Sequence, residues 1–205
     1  MAAAAQVEHH ATSTGTDNRK LLMWVFLGSE CLFFGSLLAT YLIFSGNPTT
    51  AVNEHGMLLT PANILDIPIT SQSTFVLLMS SVTMVLAVYG AQHARFKMMK
   101  LWLLATVLLG LTFLSYQVFE FSTFGNEGLT LGANQFGASF FMLTGFHGAH
   151  VAIGVLYLGS LLLAALRRNG LGPEAGLNVE IAGLYWHFVD VVWIVLFTVI
   201  YLIPV

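Results

Sequence analysis

FGASFFMLTGFHGAHVAIGVLYLGSLLLAAL, residues 136–166, decides the fold. The stretch holds no Asp, Glu, Lys or Arg, and its apolar residues run too continuously for the alternation of a barrel strand. About 20 apolar residues in a helix cross a ~30 Å hydrocarbon core. At ~1.5 Å each, these residues reach ~46 Å. They predict a transmembrane helix that tilts or projects into a headgroup region.

Four further apolar runs surround it, at residues 21–44, 71–91, 99–121 and 179–203. The chain of 205 residues is 57% hydrophobic and 8% charged, against about 25% charged in a soluble domain, which excludes a water-soluble globule. All five prolines, Pro48, Pro61, Pro68, Pro173 and Pro204, lie outside these runs or at their ends, as unbroken helices require. The fold class is therefore an all-α integral membrane protein, a five-transmembrane-helix bundle over residues 20–205. Residues 1–19, rich in Ala, Ser, Thr and Gly, read as a disordered cytoplasmic tail. Ala2 to Ala5 fall short of the apolar core of a signal peptide. No glycine loop for nucleotides and no basic patch for nucleic acid is present. The lone Cys31 excludes an internal disulfide.

Basic residues near helix ends stay on the cytoplasmic side, and all seven here fall on one face. Arg19 and Lys20 precede the first helix; Arg95, Lys97 and Lys100 join the second and third; Arg167 and Arg168 join the fourth and fifth. The opposite loops contain Glu54, Asp66 and Glu127 but no Lys or Arg. This places the N-terminus in the cytoplasm and the C-terminus outside.

An ionised side chain at the centre of a membrane helix costs roughly 2.5–3.5 kcal/mol, so intramembrane polar residues carry the functional signal. Glu30 lies ten residues beyond Lys20, ~15 Å into the membrane. No base in its own helix reaches it, so it is protonated or paired with a neighbouring helix or a lipid headgroup. It is the candidate for proton-linked or lipid-contacting work. Gln117 and Glu120, one turn apart, share a face where an adjacent helix can donate hydrogen bonds; Glu120 stands at the end of its run, within reach of interfacial water or the next loop. His147 and His150 point to one side of their helix. Gly145 with Ala149, and Gly148 with Ala152, give the small-xxx-small spacing of a tight helix seam, in which imidazoles bond across helices. His187 and Asp190 are placed to contact each other or a neighbour. Imidazole also ligates heme iron, copper and zinc, but no carboxylate or thiolate set accompanies these histidines. Metal ligation is not expected, and the bland alternative for each polar residue is a hydrogen bond that ties helices together.

Two stretches, residues 144–151 (TGFHGAHV) and 185–193 (YWHFVDVVW), resemble signatures of subunit III of the heme-copper terminal oxidases. The likeness extends to residues 29–34 (SECLFF), to residues 117–121 (QVFEF), and to Glu180, seven residues before His187. It covers nearly everything from Arg19 to Tyr201. The resemblance implies a subunit of a cytochrome c or quinol oxidase, a proton-pumping complex of the respiratory chain that reduces oxygen to water in the bacterial plasma membrane. It implies no catalytic centre and no cofactor in this chain: heme and copper belong to partner subunits I and II. Subunit III packs against subunit I, holds phospholipid and sustains proton uptake, and the position matching Glu30 is the family's buried carboxylate. His147, His150, Glu180, His187 and Asp190 would then hold helices and neighbours in register.

Larger members of that family have seven helices, and this chain matches from their third. Their lipid cleft would be open here or closed by another subunit. Some members accompany nitric oxide reductases, and membership of a larger respiratory supercomplex is compatible with the resemblance. Two readings from other classes compete. A proton-coupled transporter would use Glu30, Asp190 and the histidines, but the internal repeats and broken helices common in transporters are missing. A heme b-binding subunit would use histidines from two helices.

Overall fold

The computed structural model describes residues 15, 17–45, 67–126, 128–132, 134–167 and 174–203. Of the expected tail, residues 1–19, residues 1–14 and 16 lie outside them, as do Glu54, Asp66, Glu127 and Arg168. Among the described residues five helices appear in chain order: α1 (Asn18–Ser45), α2 (Ile67–Gln92), α3 (Phe96–Asn126), α4 (Gln135–Arg167) and α5 (Ala175–Phe197), the last continued by a π-helical turn (Thr198–Leu202). All are long and apolar enough to span a membrane.

The helices outrun most ends of the apolar stretches for local reasons. α1 takes in Asn18 and Arg19, which the sequence assigns to the tail, because the Asp17 carboxylate accepts the Arg19 N–H at 2.8 Å as an N-cap. Asn134 caps α4 in the same way, accepting from the Gly137 N–H. α2 begins before Pro68, which sits in the first turn, where its missing N–H leaves nothing unpaired. α3 continues five residues past Phe121, with Ser122 and Thr123 bonded back to the carbonyls of Val118 and Phe119.

α2, α3, α4 and α5 form a ring in which α5 closes back on α2, while α1 lies outside against α4 and α5. Trp186 of α5 locks the ring. It is fully buried, its indole N–H donates to Ser80 Oγ of α2 at 3.0 Å, and its ring occupies a slot between Gly110 of α3 and Gly154 of α4. A Cβ at Gly110 would stand 2.7 Å from Trp186 Cη2, and one at Gly154 2.9 Å from Cζ3. Trp193, about two turns on, donates to Thr74 Oγ1 at 3.0 Å. Both acceptors remain saturated, because Ser80 also donates to the Leu77 carbonyl and Thr74 to that of Thr70.

The expected small-residue seam is therefore displaced. Gly145 faces open space, and Gly148 meets only the Gln117 side chain at 3.8 Å. The close approaches fall at Gly110 and Gly154, where a large ring needs the room. Outward faces are as apolar as the core: Leu22, Val25, Leu32, Phe75, Leu101 and Leu156 are all exposed. In lipid such exposure carries no penalty.

Candidate functional site: an intramembrane glutamate–histidine pair

Glu30 of α1 meets His150 of α4, with Oε2 and Nε2 3.3 Å apart and both side chains mostly covered, at 17% and 15% exposure. The pairing with a neighbouring helix, one of the alternatives open for Glu30, is the one found. His150 Nδ1 lies 2.7 Å from the Phe146 carbonyl. A carbonyl can only accept, so Nδ1 carries a hydrogen, and Nε2 is left for Glu30. The two groups lie within ion-pair distance, so an imidazolium beside the carboxylate would leave no isolated charge in the membrane.

The surroundings hold this geometry. Phe34 packs edge-on against His150 at 5.1 Å, and Phe33 packs edge-on against Phe146 at 5.2 Å. Tyr185 of α5 donates its hydroxyl to the His150 carbonyl at 2.9 Å, so α1, α4 and α5 meet at the pair. Toward the basic end, Lys20 pairs with Glu180 at 2.5 Å and Arg19 with Glu174 at 3.0 Å, which brings the starts of α1 and α5 to the same face. Glu180 is thus a tether between these helices. The Arg19 pair is half-exposed, and its worth is small.

The other polar candidates separate from this pair. Glu120 is 7% exposed and lies six residues before the end of α3, so solvation by the following loop is corrected. Its Oε1 accepts from Thr70 of α2 at 2.6 Å and from Tyr201 of the π-helical turn at 2.8 Å. Gln117 shares that face, but its Oε1 has no hydrogen-bond partner. His147 does not bond across helices as expected. It is 1% exposed, stacks on Trp193 at 4.8 Å, and neither ring nitrogen is hydrogen-bonded. His187 and Asp190 meet through Ser81 rather than directly: Ser81 Oγ lies 2.7 Å from His187 Nδ1 and neighbours Asp190, whose oxygens have no well-formed hydrogen bond.

The sequence reading missed the hydroxyl partners Thr70, Thr74, Ser80 and Ser81, and also Tyr185 and Tyr201. A signal existed in α2, whose Thr70, Thr74, Ser80 and Ser81 recur at helical spacing along one side.

Two of the candidate heme ligands are taken up by the protein: both nitrogens of His150 are engaged, and His147 is enclosed by the rings of Phe34, Phe113 and Trp193; His187 meets Ser81 through Nδ1 and keeps Nε2. Among the described residues no three His, Cys, Asp or Glu side chains gather where a metal ion could sit.

Residues 1–204 match the family described as cytochrome c oxidase subunit III. Cytochrome c oxidase subunit 3 of Bacillus sp. (strain PS3) is 38% identical over 97% of this chain and 91% of its own length. Cytochrome c oxidase subunit 3 of Bacillus subtilis (strain 168) is 38% identical over 90% and 86%. A probable quinol oxidase subunit 3 of Staphylococcus saprophyticus is 39% identical over 90% and 88%. With the family matched over nearly its whole length, and with both long motifs packed into the α4–α5 core, the chain belongs to the cytochrome c oxidase subunit III family.

Proposed function

We propose that this chain is the non-redox subunit III of a heme-copper terminal oxidase, stabilising subunit I and supporting proton uptake during oxygen reduction to water. The observation that carries the reading is the near full-length likeness to oxidase subunits of both the cytochrome c and the quinol type. Heme and copper then reside in the partner subunits I and II, and phospholipid fills the lateral surfaces. The complex lies in a bacterial plasma membrane with the N-terminus cytoplasmic. The one-sided basic residues support that orientation, and the bacterial relatives support the membrane.

Glu30 and His150 are the functional pair in this reading. A carboxyl group beside an imidazole puts two groups that can each hold a proton next to one another in the membrane, which suits proton exchange at the edge of a pump. Gln117, Glu120, His147, Glu180, His187 and Asp190 hold the helices in register. The test is the assembled complex carrying Glu30→Gln. Subunit III should remain bound, since the side chain's shape persists, while turnover decays faster during sustained oxygen consumption. Undiminished persistence of turnover would refute the role given to Glu30, and failure to assemble would make it structural.

A further inference from the structure

We infer that the turn joining α2 and α3 binds the phosphate headgroup of an anionic phospholipid through Arg95, Lys97 and Lys100. These three cations line a surface depression of 560 Å³ together with Ala94, Phe96 and Met98. Each described acidic side chain is committed elsewhere. Asp17 caps α1, Glu30 holds His150, Glu120 binds Thr70 and Tyr201 at the opposite end, Glu174 and Glu180 hold Arg19 and Lys20, and Asp190 is buried beside Ser81. Among the described residues, Arg95 meets the face of the Tyr89 ring at 5.9 Å, and Lys97 and Lys100 have no acidic partner.

The fold concentrates this charge rather than dispersing it. The turn is tight: the Arg95 N–H reaches back to the Gly90 carbonyl at 2.8 Å, Ala94 adopts a left-handed φ of 54°, and a Cβ on Gly90 would lie 2.9 Å from Met99 N. Lys97 and Lys100 are three residues apart and share a face, an arrangement of like charges that destabilises a helix. Both stand in the first turns of α3, where the helix dipole adds positive potential. Arg19 and Lys20 on the same side of the molecule are paired with Glu174, just before α5, and Glu180 of α5; among the described residues these three are not paired with an acid. The turn lies at the membrane boundary, and an anionic headgroup is the counter-ion that a bilayer supplies there, with the acyl chains lying along the exposed apolar faces of α2 and α3. This inference rests on the membrane orientation and stands whether or not the oxidase reading does.

Native mass spectrometry of the purified, delipidated protein with its bound partners, titrated with phosphatidylglycerol, tests it. One molecule should bind in preference to phosphatidylcholine, and roughly fivefold more weakly for each cation removed in Lys97→Gln, Lys100→Gln and Arg95→Gln. Arg167→Gln should leave that affinity unchanged. The pair K97R/K100R keeps the charge and should keep the lipid, which separates binding from any defect in insertion. Inorganic phosphate at equal concentration should not displace it; displacement would make the site one for free phosphate. Equal retention of phosphatidylglycerol by the wild type and the glutamine variants, or equal binding of phosphatidylcholine, would overturn the inference.

Discussion

Gly154→Ala tests the way α5 is locked into the ring. The new Cβ would stand 2.9 Å from Trp186 Cε3 and Cζ3 and 3.2 Å from Tyr185 Cε1. Carbon atoms pack comfortably at about 3.5–4.0 Å, so the ring must retreat by roughly 0.6 Å. It has nowhere to go: a Cβ at Gly110, on the other side, would already be 2.7 Å from the ring, and the indole N–H is fixed to Ser80 at 3.0 Å. Overpacking of this kind costs about 1–3 kcal/mol, which for a chain of this size corresponds to a fall of about 2–4 °C in Tm per kcal/mol. Gly159→Ala is the control, because its Cβ would meet nothing within 4 Å. Both variants gain the same helix propensity, so their difference isolates the clash. The assay is thermal unfolding of the purified protein in detergent, with Trp186→Leu added to each variant. Gly154→Ala should melt below Gly159→Ala, and Trp186→Leu should cost less in the Gly154→Ala background than alone. Equal melting of the two alanine variants would refute the slot.

Tyr201→Phe should destabilise the protein by about 1–3 kcal/mol, since Glu120 loses a donor inside the bundle; thermal unfolding reads the effect, and an unchanged Tm would show that the remaining contacts of Glu120, Thr70 among them, suffice. Ala94→Gly should raise Tm, because it relieves a left-handed alanine worth roughly 1–2 kcal/mol of strain; no gain would show that the added flexibility of the unfolded chain offsets it. Glu30→Gln should remain in the complex, whereas Glu30→Leu, which leaves His150 Nε2 unpaired, should detach more readily by about 1–3 kcal/mol. Retention of subunit III through detergent washing separates the two variants, and equal retention would remove Glu30 from the α1–α4 contact.

The number and identity of the helices were legible because hydrocarbon thickness alone sets the length of an apolar run. The side-chain pairings were only half legible. His147 and His150 are close to one side, yet three residues turn a helix by about 300°, enough to send one ring into the core against Trp193 and the other to Glu30. Glu120 was read as near-solvent because the apolar run stops at Phe121, while the hydroxyls of Ser122 and Thr123, bonded to the helix's own carbonyls, accompany it to Asn126. Gly110 and Gly154 gave no local signal: the reason for each is Trp186, on another helix. Asp190 and His187 share a face as read, but the residue that joins them, Ser81, lies 106 positions before His187. Spacing within one helix shows which face a group occupies; it does not show what the facing helix presents.

The most direct test of the central claim is gentle purification through a tag on this chain, with the co-purifying proteins identified and a reduced-minus-oxidised spectrum recorded on the same sample. The sample should contain a large heme- and copper-bearing partner with a subunit II whose type names the electron donor, and no heme should remain on this chain once it is separated. A heme-free preparation with no such partner, or stoichiometric heme retained by the isolated chain, would contradict it.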